Sequence, residues 1–203
     1  AECRFMLLSP NNLLKPSDGG PVAVPSQDMV LGIYYLTQER PDSLGEGHYF
    51  KNLNEAILAY ENGYVKLHSR IHVRVTKKMA DGTEKTGTVE STLGRFIFNE
   101  ILPQDLGFVD RSIPENALVL EVDFHVGKKG LKQILEKVIN IHGATTTAEV
   151  LDDIKAMGYK YSTRAAMTVS ISDMTVPEKK PVLIKQAQDT VDLITKNYKR
   201  GLI

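Results

Sequence analysis

Between residues 65 and 75 apolar and polar side chains alternate. Val65, Leu67, Ile71, Val73 and Val75 fall on one side and Lys66, His68, Arg70, His72 and Arg74 on the other, with Ser69 a weak inward position. A period of two marks a strand with one buried face. Asp81-Gly82 is a hairpin signal, and residues 86–92 supply the returning strand. Further on the period changes. Leu131, Ile134, Leu135, Val138 and Ile139 recur at helical spacing, a stripe that Gly143 closes. Thr147 can cap a second helix carrying Val150, Leu151, Ile154 and Met157, with Gly158 as its stop.

Shorter elements fill the rest. Ser26-Gln27-Asp28 precedes Met29, Val30, Ile33, Tyr34 and Leu36, the pattern of a capped helix of about ten residues. Residues 52–60 read as a short helix with Leu53, Ile57 and Tyr60 on one side and Asn62-Gly63 as the stop. A helix is expected from about Arg95 to Ile101, halted by Pro103. Val119, Leu120 and Val122 suggest a short strand, and residues 167–171 a weak one. Pro177-Glu178 opens a long final helix whose Leu183, Ala187, Val191, Ile194 and Tyr198 share a face. Residues 9–26 hold four of the nine prolines together with Asn11-Asn12 and Gly19-Gly20, which is loop and turn chemistry; residues 40–47 form a second loop. The sum is an α+β fold: a mixed domain with a β-hairpin, short strands and several helices, ending in a long C-terminal helix.

Composition excludes several classes. At 203 residues, 42% hydrophobic and 25% charged, the chain is ordinary globular material. Its 25 Lys and Arg equal its 25 Asp and Glu, so no global charge excess draws it to nucleic acid or membrane. The single cysteine, Cys3, excludes an internal disulfide framework; the thiol reads as buried or incidental, and a reducing cytoplasm is the expected location. No apolar run approaches the roughly 20 residues of a membrane span, and no signal peptide is expected. Both ends look cut from something longer, the alternative being trimmed ends of a free-standing protein.

The motif search offers little self-sufficient chemistry. The five histidines contain no H-E-x-x-H, and there is no G-x-S-x-G or Walker A sequence. His68 and His72, if both on one strand, would lie about 13 Å apart, too far to share a metal. Gly127-Lys128-Lys129-Gly130 ahead of a helix lacks the Gly spacing and Ser/Thr of a phosphate loop, and reads as a plain N-terminal turn. Asp152-Asp153 diverge by about 100° on a helix and cannot share a catalytic position. Lys66, Arg70 and Arg74 form a possible basic face that suits nucleic-acid phosphate or an acidic protein, but a solvated face balanced by Glu84 and Glu90 across the hairpin is the favoured reading.

Longer strings carry a resemblance. Met6-Leu7-Leu8-Ser9-Pro10-Asn11-Asn12-Leu13-Leu14, then Gly20-Pro21-Val22-Ala23-Val24-Pro25-Ser26-Gln27-Asp28-Met29-Val30-Leu31-Gly32-Ile33-Tyr34-Tyr35-Leu36-Thr37, closely resembles the beta-prime (largest) subunit of bacterial DNA-directed RNA polymerase. Ser91-Thr92-Leu93-Gly94-Arg95 running into Phe98-Asn99-Glu100-Ile101-Leu102-Pro103 fits as well, as do Asp173-Met174, Pro177-Glu178-Lys179-Lys180 and Gly201-Leu202-Ile203. The similarity runs through essentially the whole chain.

The resemblance implies a nucleotidyltransferase as the assembled enzyme and a non-catalytic part of it here. In that family this segment follows the N-A-D-F-D-G-D loop whose aspartates hold the catalytic Mg²⁺; that loop is absent, so no catalytic residue, metal site or cofactor is expected in the segment, and it is expected to be inactive alone. Residues 1–170 correspond to the pore domain (domain 3) and residues 171–203 to the start of the funnel (domain 4), walls of the secondary channel through which nucleoside triphosphates enter and the RNA 3′ end extrudes on backtracking. Gln27 matches a glutamine near the active centre, where its amide suits a phosphate, a base edge or water, or else it caps the helix. Asn11 and Asn12 belong to the loop before it. Gly94 is expected to let strand turn into helix. Arg95 reaches phosphate or anchors a neighbouring carboxylate, anchoring being favoured. Arg164 is a channel or interface candidate. Ala166 stands where relatives often carry Gly, and Ser172 where many carry Asp, which weakens any shared acidic role there. Implied partners are the remainder of beta-prime, the beta subunit and other polymerase subunits, RNA and nucleoside triphosphates in the channel, and transient cleavage factors, with no membrane.

Two alternatives remain beside this reading: a stand-alone RNA-binding module using the basic strand face, and an independent hydrolase built on His and Asp residues.

Overall fold

The computed structural model of the chain describes residues 1–78 and 84–202. It divides into two units, Ala1–Ala166 and Met167–Ile203. In the first, a three-stranded sheet is ordered β1 (Tyr49–Phe50), β2 (Arg70–Lys78), β3 (Glu84–Thr92). β1 runs parallel to β2 with Tyr49 beside His72, and β2 runs antiparallel to β3 with Arg70 beside Thr92. The antiparallel pair is the expected hairpin, its return beginning at Glu84; the Asp81-Gly82 turn lies outside the described residues.

The strand starts later than its alternation suggests. Residues 65–69 are tied to the preceding loop instead: the Lys66 amide donates to the Leu44 carbonyl at 3.2 Å, and Ser69 Oγ donates to the same oxygen at 2.7 Å. With backbone bonds going to a loop, His68 and Ser69 both turn inward and are buried. His68 therefore leaves the outward face that period two assigned to it.

The helices are α1 (Glu2–Met6), α2 (Asp28–Thr37), α3 (Leu53–Glu61), α4 (Leu93–Glu100), α5 (Lys128–Ala165) and α6 (Lys180–Lys199). Asn52 caps α3 by accepting from the Glu55 amide at 2.9 Å, while the Lys51 amide donates to the Glu55 carboxylate. Thr92 caps α4 in the same manner. α5 is broken where expected. Gly143, at φ 77°, leaves the helical region and separates two halves, and Thr147 Oγ1 donates back to its carbonyl at 2.7 Å. Gly158 does not stop the second half, which continues to Ala165.

Gly158 has a different purpose. A methyl group there would lie 2.6 Å from the Met29 carbonyl oxygen, and one at Gly32 would strike the Gly158 carbonyl oxygen. The missing side chains let α2 and α5 approach backbone to backbone. A methyl at Gly94 would likewise strike the Leu36 carbonyl oxygen of α2, so close approach to α2 accounts for this glycine. Helix α2 is clamped between α4 and α5. Around it lies the core, with Ile33, Leu36, Leu93, Phe98, Leu131, Leu135 and Ile154 fully buried.

Residues 118–127 form no strand, although Leu120, Glu121, Val122 and Val126 among them are buried. Side chains, not a ladder, satisfy their backbone. Asn99 Nδ2 donates to the Val122 carbonyl at 2.7 Å while Asn99 Oδ1 accepts from the Val122 amide at 2.9 Å. Arg111 and Lys77 donate to the Val119 carbonyl, and the Val126 amide donates to Thr37 Oγ1. Apolar patterning records burial, and such burial does not require a neighbouring strand.

The second unit carries a short 3-10 turn at Ile171–Asp173 where a weak strand was expected, capped by Ser170, and then α6. No residue of α6 is buried, and Leu183, Val191 and Ile194 are exposed on it.

Candidate functional site

The start of α2 presents Gln27. This residue is the N-cap, at φ 51° and ψ −126°, a backbone region L-residues rarely occupy. Its side chain makes no capping bond, is exposed, and has no hydrogen-bond partner among the described residues. Both the donor and the acceptor of its amide are thus open. Of the two roles open to Gln27 in the sequence, side-chain capping is not realised.

The neighbouring loop is stitched by its backbone. The Lys15 amide donates to the Gly20 carbonyl and the Val22 amide to the Leu13 carbonyl, both at 2.8 Å. Asn11 and Asn12 are exposed, but their amides face inward on the chain: Asn11 Nδ2 donates to the Phe5 carbonyl at 2.7 Å, and Asn12 Nδ2 to the Met6 carbonyl at 2.8 Å. They fasten α1 to the turn at Ser9–Asn12.

Behind α2, Arg95 is the hub. Only 6% exposed, it donates from Nε to the Thr37 carbonyl at 3.1 Å and from Nη1 to Glu39 and Asp123, each at 3.3 Å. Asp123 also accepts from Ser91 Oγ. The second oxygen of Glu39 meets Arg70 at 3.4 Å, and Arg70 meets Glu90 at 3.5 Å. A continuous chain of charge, Glu90–Arg70–Glu39–Arg95–Asp123, therefore runs from the hairpin to the C-terminal end of α2. Arg95 anchors carboxylates, as its favoured reading has it, with its guanidinium engaged inside the fold.

The residues of the basic face differ in their surroundings. Lys66 is exposed ahead of the strand, Arg70 is half-buried and paired, and Arg74 is exposed opposite Thr88. The three do not form one open run. Tyr49, exposed, stacks on His72 at 4.3 Å between ring centroids.

Arg164 lies far along α5, exposed and 5.8 Å from the Tyr161 ring, at the rim of a 370 Å³ cavity that α3, α4 and α5 share. Among the described residues no hydrogen bond joins it to Gln27, Asn11 or Asn12; its neighbours are Lys160 and Tyr161. Burial pushes the Tyr161 hydroxyl above its ordinary pKa.

Three histidines have defined partners. His68 donates from Nδ1 to the Gln38 carbonyl at 3.1 Å, and its Nε2 is buried without a partner, so burial holds its pKa below the usual value. His125 donates to the Tyr34 carbonyl, and His142 to Asp105. Lys77, half-buried beside Arg111, is lowered to about 8 by burial first and that guanidinium second. Among the described residues no three His, Cys, Asp or Glu side chains group to hold a metal ion. Cys3 is exposed. No helix there is long and apolar enough to cross a membrane.

Sequence reasoning missed Glu39, Thr37, Asp123 and Asn99, the partners that make the hub. Arg95 and Thr37 are 58 positions apart, so no local spacing could reveal them. What Gln27 offers chemically is hydrogen bonding from an exposed, unpaired amide.

Residues 12–174 match the family described as RNA polymerase Rpb1, domain 3. The whole chain is 71% identical to the DNA-directed RNA polymerase subunit beta' of Lachnoclostridium phytofermentans, covering 16% of that protein. It is 58% identical to the subunit of the same name from Acetivibrio thermocellus and 53% identical to that of Clostridium acetobutylicum, covering 17% of each. The chain thus spans about a sixth of the length of the curated relatives it matches.

Proposed function

The chain belongs to the RNA polymerase Rpb1 domain 3 family of DNA-directed RNA polymerase beta' subunits, and from that premise we propose that it serves DNA-templated transcription as wall of the secondary channel. In this reading residues 1–170 are pore and residues 171–203 begin the funnel. Gln27 faces the passage taken by incoming nucleoside triphosphates and by the 3′ end of backtracked RNA. The carboxylates that hold the catalytic Mg²⁺ lie elsewhere in the beta' subunit, so the nucleotidyl transfer belongs to the assembled cytoplasmic enzyme and not to this chain alone. The beta subunit, the remainder of beta', and transient cleavage factors are its partners.

The observation that supports this most is Gln27 itself: an unpaired, exposed amide on a strained N-cap, mounted on a helix clamped by two glycine contacts. Strain kept at a surface position with no internal hydrogen bond is a mark of a working side chain. Arg95, Asn11 and Asn12 act in this reading as supports, and Arg164 as an interface residue.

The test is a reconstituted polymerase carrying Gln27→Ala in its beta' subunit. Subunit assembly is expected to be unchanged, while the KM for nucleoside triphosphates rises several-fold and cleavage of backtracked transcripts changes rate. Unaltered values for both would overturn the assignment. The 203-residue chain alone is expected to show no Mg²⁺-dependent nucleotidyl transfer.

A further inference from the structure

Lys15, Lys128, Lys129 and Lys132 converge on one open cavity of about 390 Å³, lined also by Pro21, Val22, Val24 and Ser26. No carboxylate lines it. All four lysines are exposed, and none forms an ion pair among the described residues. Asp18, on the turn that carries Lys15, has an oxygen occupied by the Gly20 amide at 3.1 Å. In the same unit Arg70, Arg95, Arg111 and Lys155 each touch a carboxylate.

The four lysines come from two distant stretches of a chain whose net charge is zero. Like charges gathered in one concave site repel, and low-dielectric walls focus the resulting potential onto whatever enters. A multiply charged anion relieves that repulsion. Ammonium groups act as point charges that suit phosphate oxygens. The cavity also has the volume of a small-molecule site. The first turn of α5, whose N-cap Gly127 offers no side-chain cap, adds unpaired backbone N–H groups to the same end.

We propose that this pocket binds the polyphosphate chain of a small ligand, either the tail of a nucleoside triphosphate or inorganic polyphosphate. The proposal stands on these side chains and does not depend on the polymerase reading or on Gln27.

The test is a titration of the ¹⁵N-labelled full chain with sodium tripolyphosphate at constant ionic strength, followed by amide shifts. Saturable shifts confined to residues 14–27 and 127–132 are expected. In K128Q/K129Q, affinity is expected to fall about tenfold or more while the dispersed spectrum of the folded chain is kept. Lys155→Gln, which removes a lysine already paired with Asp152, leaves affinity unchanged. ATP and adenosine separate the two sources: equal binding of ATP and tripolyphosphate assigns recognition to phosphate alone, tighter ATP binding adds the nucleoside, and adenosine gives no shift. Shifts that never saturate and spread over lysines at large would overturn the proposal. So would undiminished affinity in K128Q/K129Q, or adenosine binding as tightly as ATP.

Discussion

Gly32 of α2 and Gly158 of α5 face one another across a contact with room for neither to carry a methyl group. The obstacle at each is backbone, which cannot swing aside as a flexible side chain would. Overpacking of this kind costs about 1–3 kcal/mol, occasionally more. Alanine in a helix gains roughly 1 kcal/mol over glycine, so the clash outweighs the propensity. Both Gly158→Ala and Gly32→Ala are expected to lower the urea midpoint, Gly32→Ala more. Once one methyl has pushed the helices apart the other finds space, so the double variant should lose less than the sum. A rise in midpoint for either single variant would contradict the backbone contact.

Arg95 binds a carbonyl at the end of α2 and a carboxylate just past it, at Thr37 and Glu39, and a second carboxylate at Asp123, so its acceptors come from two separate parts of the chain. Arg95→Met strands these acceptors, and a loss of about 1.5–3 kcal/mol is expected from the charged hydrogen bonds. The lower half of that range applies if solvent reaches Glu39 and Asp123, which are each about a third exposed. Arg95→Lys keeps the charge but not the fork, and should recover only part of the loss. A double-mutant cycle with Asp123→Asn, read by chemical denaturation, checks the coupling; additive effects would refute it.

Asn99 replaces a strand partner for Val122. Removing its amide in Asn99→Ala leaves a buried N–H and a buried C=O unpaired, at about 1–3 kcal/mol for each group. Hydrogen exchange offers the sharper readout. The Val122 amide should lose protection in Asn99→Ala far beyond the global destabilisation, whereas amides of β2 should follow global stability. Equal loss at both places would count against a local clamp.

His68 gives stability a dependence on pH. Its folded pKa lies below the ordinary 6.5, chiefly through burial, with the Gln38 carbonyl opposing and Arg40 adding to the shift. Between the two values the unfolded chain binds more protons than the folded one. The group's contribution is therefore complete above about pH 6.5 and is lost as pH falls through the folded value. His68→Gln is expected to flatten the slope of unfolding free energy below about pH 6.5 relative to the parent. An unchanged slope would show that the ring is charged when folded.

Much of this fold could be read from periodicity because the relevant signals are local. The amphipathic stripe before Gly143, the Asn62-Gly63 stop of α3 and the alternation along β2 all lie within a few residues of what they determine. The misreadings share a cause. Gly158 looks like a stop signal, yet its meaning comes from Met29 on another helix. Residues 119–122 look like a strand, yet their hydrogen bonds come from Asn99, Arg111 and Lys77. His68 has the right parity for solvent, but the bond from Ser69 to Leu44 turns this stretch inward. At the site, Gln27 stood out through the long string around it, and Arg95 through its favoured role. The carboxylates that complete the hub carry no local signature.

The buried run around residues 118–122, Leu-Val-Leu-Glu-Val, is the kind of short apolar sequence that stacks into intermolecular sheets when its main chain is free. Here amides and guanidinium groups from other segments occupy the main-chain atoms that a second molecule would need. Those distant polar side chains therefore guard against self-association as well as holding a loop. Weakening them would be felt first as aggregation during folding.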